Sequence, residues 1–103
     1  MIIYNVTVSV EESITSDWLN WMKIEHIPEV MTYGIFTKAQ INRVIAQGDS
    51  NNTFAIAYTC LSMKDLHQYQ ITCSSVFQDK HLARYGDKAV AFRTIMEVIQ
   101  DFL

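Results

Sequence analysis

Residues 2–10, IIYNVTVSV, alternate without a break: Ile2, Tyr4, Val6, Val8 and Val10 fall on one side, Ile3, Asn5, Thr7 and Ser9 on the other. A period of two sustained over this length is a strand with one apolar face. Such a strand is stable only beside other strands and over a layer of apolar side chains. The remaining patterns supply both. Ser13 is placed to cap a helix running to about Tyr33, with Gly34 where a left-handed residue closes a helix. Residues 35–46 and 53–60 read as two strands joined by the turn-forming cluster QGDSNN. Ser62, with Asp65 three positions on, resembles a capping box and opens a second helix that ends before Gly86. Within that helix ITCSS is a run of weak helix formers, where a break is expected. Residues 89–99, AVAFRTIMEVI, form the last strand.

The order β-α-β-β-α-β, with right-handed crossovers, predicts an α+β, ferredoxin-like arrangement: a four-stranded antiparallel sheet with two helices on one face. A chain of 103 residues without linker, repeat or low-complexity segment is expected to be a single domain over 1–103. On the first, third and fourth strands the even-numbered residues, including Tyr4, Phe54, Tyr58, Val90, Phe92 and Met96, are expected to meet the helices. The odd side carries Ile3, Asn5, Thr7, Ala55, Ala57, Ala91, Arg93, Ile95 and Glu97. That side is too apolar for an ordinary wet surface and too polar for a core. Two copies closing sheet to sheet, with Asn5, Arg93 and Glu97 hydrogen-bonded between them, would explain it; so would a partly solvated face. Charge is scarce as well: 18% of residues are charged, against roughly 25% in an ordinary soluble domain.

The same composition sets aside several classes. Net charge is −3 and the basic residues form no stripe interleaved with aromatics, so no nucleic-acid partner is expected. No apolar run approaches the roughly 20 residues of a membrane span, and the N-terminal stretch lacks the basic region of a signal peptide. A cytoplasmic location and no membrane contact are therefore expected. Cys60 and Cys73 read as buried free thiols. His67 and His81 lie about 21 Å apart along a helix and cannot share an ion. Neither metal nor cofactor is expected.

Three stretches, MIIYNVTVSVEESI, WLNWMKIEHIPEV and RYGDKAVAFRT, in this order and spacing, resemble domain-of-unknown-function family 4286 over nearly the whole chain. Its members are small bacterial proteins of the dimeric α/β-barrel superfamily. The resemblance implies a homodimer in which two ferredoxin-like sheets pair as a barrel, and it implies no reaction. The wider superfamily holds cofactor-free and haem-degrading monooxygenases, lactone isomerases, polyketide cyclases and plain ligand binders. Its haem-degrading members use an Asn on the first strand with a Trp and a His elsewhere. Asn5 matches in kind, whereas Trp18, Trp21 and His26 all lie on the first helix, and that group draws its His from the second.

At 100° per residue Trp18, Leu19, Met22, His26 and Val30 share one arc of the first helix, which turns His26 inward. Pro28, the only proline, cannot donate to the carbonyl of Ile24, so the helix is expected to kink or end there and to leave a gap. His26 then has two readings: a core histidine satisfied by a backbone carbonyl or by Tyr4 or Tyr58, or a general base in a ligand cleft. Arg43 and Arg93 stand in otherwise apolar strands and need anions. Glu97, on the same face as Arg93, offers one, and a bound carboxylate or phosphate is the alternative. Two functions follow. The first is a homodimer binding a small organic ligand between helices and sheet through Trp18, Met22, Tyr58, Arg43 and Arg93, with no demonstrable activity. The second is a cofactor-independent monooxygenase or isomerase with His26 as base and Asn5 or Arg93 polarising an oxyanion.

Overall fold

The computed structural model describes residues 1–45 and 52–103; Ala46 and most of the expected QGDSNN turn lie outside them. Four strands, β1 (Ile2–Val10), β2 (Lys38–Arg43), β3 (Thr53–Cys60) and β4 (Ala89–Glu97), form one antiparallel sheet in the order β2-β3-β1-β4. Two helical passes cross it. The first runs from α1 (Thr15–Trp21) through a π turn, Met22–His26, into α2 (Ile27–Thr32). The second runs from α3 (Met63–Tyr69) through a π turn, Gln70–Ser74, into α4 (Ser75–Tyr85). The fold is ferredoxin-like, as the alternation of patterns requires.

Several boundaries follow from identifiable residues. Gly34 ends the first pass with φ +74 and Gly86 the second with φ +58, a region that costs glycine nothing. Ser62 caps α3, its Oγ accepting from the Asp65 N–H at 3.2 Å. Ser62→Ala should therefore cost about 1 kcal/mol, read as a lower urea midpoint with an unchanged slope. Ser13 is not a cap. It sits inside a 3₁₀ turn, Glu12–Ile14, whose Ile14 N–H already bonds the Glu11 carbonyl at 3.1 Å. The weak helix formers near residue 72 do hold a break, and it is the second π turn.

Register decides which side chains face the helices. β1 and β3 pair Tyr4 with Tyr58, Val6 with Ile56 and Val8 with Phe54, so their even-numbered residues share the core face. All six are packed in or against the buried cluster with Trp18, Met22, Leu66 and Phe77. β4 departs from expectation. Val10 lies opposite Ala89 and Val6 opposite Arg93, which puts its odd-numbered residues on the helix side. Val90, Phe92 and Met96 consequently lie on the helix-free face, where Val90 is 62% and Phe92 63% exposed. Ala89 and Ala91 pack under the helices in their place. The reason is the period of a strand: one residue of register turns every side chain over. β4 carries apolar residues on both parities, so its pattern does not select a face.

Candidate active site between the helices and the sheet

The first π turn lies where its helical pass meets α4, with His26 against Phe77 and His81. Pro28 has no N–H to give, and the helical pass does not stop at it. The preceding turn widens instead: the Ile27 N–H reaches back to the Met22 carbonyl, and Pro28 enters α2 in its first turn, where no donor is needed. The hollow beside Pro28 opens towards β2, against Ala39 and Ile41, and holds about 310 Å³. It does not touch His26, so the gap expected from the proline and the space beside the histidine are separate.

His26, at the end of the first π turn, packs among aromatic rings. Its centroid is 4.7 Å from Trp21, 5.6 Å from Phe77 and 6.3 Å from His81. Among the described residues neither Tyr4, Tyr58 nor a backbone carbonyl hydrogen-bonds it. Burial, reinforced by His81 and Lys80 and opposed by Glu29, pushes its pKa down to about 4. His81, on α4, is held by Trp18, whose Nε1–H donates to Nε2 at 2.9 Å. That bond assigns the lone pair to Nε2 and the proton to Nδ1 of a neutral ring. Burial and then Arg93 lower the His81 pKa too. Two imidazoles, both uncharged at neutral pH, thus sit side by side in an apolar setting.

Beside them is a cavity of about 40 Å³ between the π turns and the sheet. Met22, His26 and His81 wall it from the helices, Tyr58 and Tyr4 floor it from the sheet, and Arg93 borders it from β4. Ser74, whose Oγ accepts from Gln78 Nε2 at 2.8 Å, joins the wall. On the other side of His26 an open groove of about 470 Å³ runs between the helices past Trp21, Glu25 and Arg84. Glu29 and Lys80 bridge that groove as an ion pair. His26 is the partition between the two spaces.

Of the residues singled out in the sequence, His26, Met22, Tyr58 and Arg93 meet at this cavity. Trp18 does not line it; it is fully buried behind it, against Phe54 at 5.1 Å, and positions His81. Arg43 stands over the Phe54 ring at 5.1 Å, on β2, away from the cavity. Asn5 is on the helix-free face, with Nδ2 donating to Thr7 Oγ1 at 3.0 Å, so the sheet separates it from His26 and the two cannot share a substrate. Arg93 is not part of a sheet-to-sheet seam. Its register partner is Val6, on the helix side, and it makes no pair with Glu97. Four residues along a strand span about 13 Å, and the ion pairs among the described residues are Lys80–Glu29 and Arg84–Asp17. Tyr69 was not singled out, and His81 was weighed only as a metal ligand. The signal was the run Phe77, His81 and Tyr85, four residues apart, which places His81 on the buried arc of α4.

A family model described as a domain of unknown function (DUF4286) matches residues 1–99. No curated protein sequence matches the chain significantly. Solved structures do resemble it. A dimeric ferredoxin-like protein from an uncultured marine organism superposes with TM-score 0.74 at 10% identity, covering 100% of this chain and 99% of its own. A candidate antibiotic biosynthesis monooxygenase from Deinococcus radiodurans gives 0.72 at 13% identity, covering 100% and 97%. Another from Nitrosomonas europaea gives 0.70 at 15%, covering 97% and 100%. At these identities the likeness establishes the fold. No helix among the described residues is long and apolar enough to cross a membrane.

Proposed function

This chain belongs to the DUF4286 family, and for it we propose a homodimer that binds a small organic ligand between its helices and its sheet. The observation that carries the ligand is the cavity walled by two neutral imidazoles. Two half-buried imidazoles facing one cavity, with the unpartnered His26 ring among them, are placed where a ligand's polar group can meet them. A screen of small organic acids, amides and phenols, read through the NMR signals of the His26 and His81 rings, tests it. A binder should shift both rings saturably. A screen in which no compound moves either ring counts against the reading.

The dimer is supported by the helix-free face. Val90, Phe92 and Met96 are exposed there beside Ile3, an apolar strip that a second copy would cover. Light scattering should give twice the 11.9 kDa chain mass, and Phe92→Asp should reduce it to the monomer. A monomer mass for the unaltered chain across dilutions would sink the proposal.

A second reading, a cofactor-independent monooxygenase or isomerase, is favoured by the protonation state of His26. An imidazole with its pKa near 4 is free to accept a proton at pH 7, although weakly basic. Arg93, and not Asn5, then faces the developing oxyanion. For such an enzyme His26→Gln keeps binding and loses turnover.

A further inference from the structure

Three tyrosines, with Arg93, His26, His81, Ser74 and Gln78, are the polar residues bordering the cavity. Tyr4, Tyr58 and Tyr69 are 4%, 3% and 5% exposed, and all three line it. Their rings stand together, with Tyr4 6.3 Å from Tyr58 and 6.0 Å from Tyr69. None of the three hydroxyls has a hydrogen-bond partner among the described residues. Burial, and after it the neighbouring phenols, raise the pKa of Tyr58 and of Tyr69, so both keep their protons as donors. His81 has its Nε2 occupied by Trp18 and is left with a donor at Nδ1. Arg93 supplies a guanidinium that forms no ion pair or hydrogen bond among the described residues. No aspartate or glutamate among the described residues borders the space.

We propose that the cavity is an oxyanion site, in which Tyr58, Tyr69 and Arg93 receive the carboxylate, or the equivalent enolate oxygen, of the ligand. This rests on the ligand-binding reading above and adds the ligand's chemical class. A guanidinium beside phenol hydroxyls, with no carboxylate among the described residues that line the space, favours an anionic oxygen over a cation or a neutral group. Size agrees. A cavity of about 150 Å³ takes a benzene ring and about 10–15 Å³ takes one water, so about 40 Å³ fits a head group of a few heavy atoms. The remainder of a larger ligand would extend outward past Arg93, which is exposed.

Formate and formamide test it, being equal in size and different in charge. Formate should move the Tyr58, Tyr69 and His81 ring signals of the intact protein saturably, and formamide should not. Arg93→Gln, at an exposed position that leaves the core untouched, should weaken formate about tenfold, and Tyr58→Phe should weaken it several-fold with the ring packing kept. Equal binding of formamide, or an Arg93→Gln variant that binds formate as well as the parent, overturns the oxyanion assignment while leaving the ligand cavity standing. Silence of the cavity signals towards formate, with response to a neutral compound from the screen, does the same. Silence towards every probe removes both.

Discussion

Between pH 7 and pH 4 the protein should lose about 3 kcal/mol of stability through His26 alone. The unfolded histidine titrates at its ordinary value of about 6.5, and the folded one at about 4. Between these values the unfolded chain binds the proton and the native chain does not, so acid favours unfolding. The stabilisation is complete above pH 6.5 and is lost as pH falls towards 4, which integrates to the figure given. Desolvation is the main cause, with His81 and Lys80 working in the same direction and Glu29 against them. His81, lowered by burial and Arg93, adds to the same slope. Urea midpoints of the parent and of His26→Gln, taken in steps from pH 7 to 4, provide the measurement. The variant should show a clearly shallower decline. Parallel declines would mean that His26 is charged or solvated in the native state.

Trp18→Ala should be the most damaging single substitution in the helices, at about 3–5 kcal/mol. Trp18 is wholly buried, packs on Phe54 at 5.1 Å and donates to His81 at 2.9 Å. Truncation removes the ring contacts, leaves a void that the sheet cannot collapse into, and strips His81 Nε2 of its donor. Against a total of roughly 5–15 kcal/mol for a domain, this approaches global unfolding. Thermal melts should fall by roughly 15–30 °C, at about 4–8 °C per kcal/mol for a chain this size. Trp18→Phe separates the parts, because it keeps most of the packing and loses the hydrogen bond, worth about 1 kcal/mol. A Trp18→Ala melt within a few degrees of the parent would show that the tryptophan is not the keystone between α1, α4 and β3.

What was legible in the sequence divides along a physical line. Strict alternation in β1 and β3 fixed both their existence and their inward face, because in each only one parity is rich in large side chains. Gly34, Gly86 and Ser62 marked helix ends because their chemistry is local. The face of β4 was not legible: Val90, Phe92 and Met96 compete with Ala89, Ala91 and Ile95, and only pairing with β1 decides between them. That one parity moved Arg93 from a supposed seam to the cavity. For the site, His26 facing inward was readable from helical spacing. Its partner His81 required knowing that two residues 55 positions apart in sequence become neighbours across the helical passes. The widening of the helix before Pro28 was equally out of reach, since a proline announces a missing donor but not how the chain will compensate.

The π turns have a consequence for how such a protein can change over evolutionary time. Removing one residue from an ordinary α-helix swings everything beyond it by about 100°, which in a helix packed on a sheet exchanges buried for exposed side chains. Here each pass is divided into two separately phased segments, α1 and α2 or α3 and α4, with the seam at Met22–His26 or Gln70–Ser74. Both seams border the same cavity, through Met22, His26 and Ser74. A substitution or length change at a seam therefore reshapes the cavity first, while Trp18 on one side and Leu66 on the other keep their hold on the core. The fold has its points of variation around its cavity, and its points of constancy elsewhere.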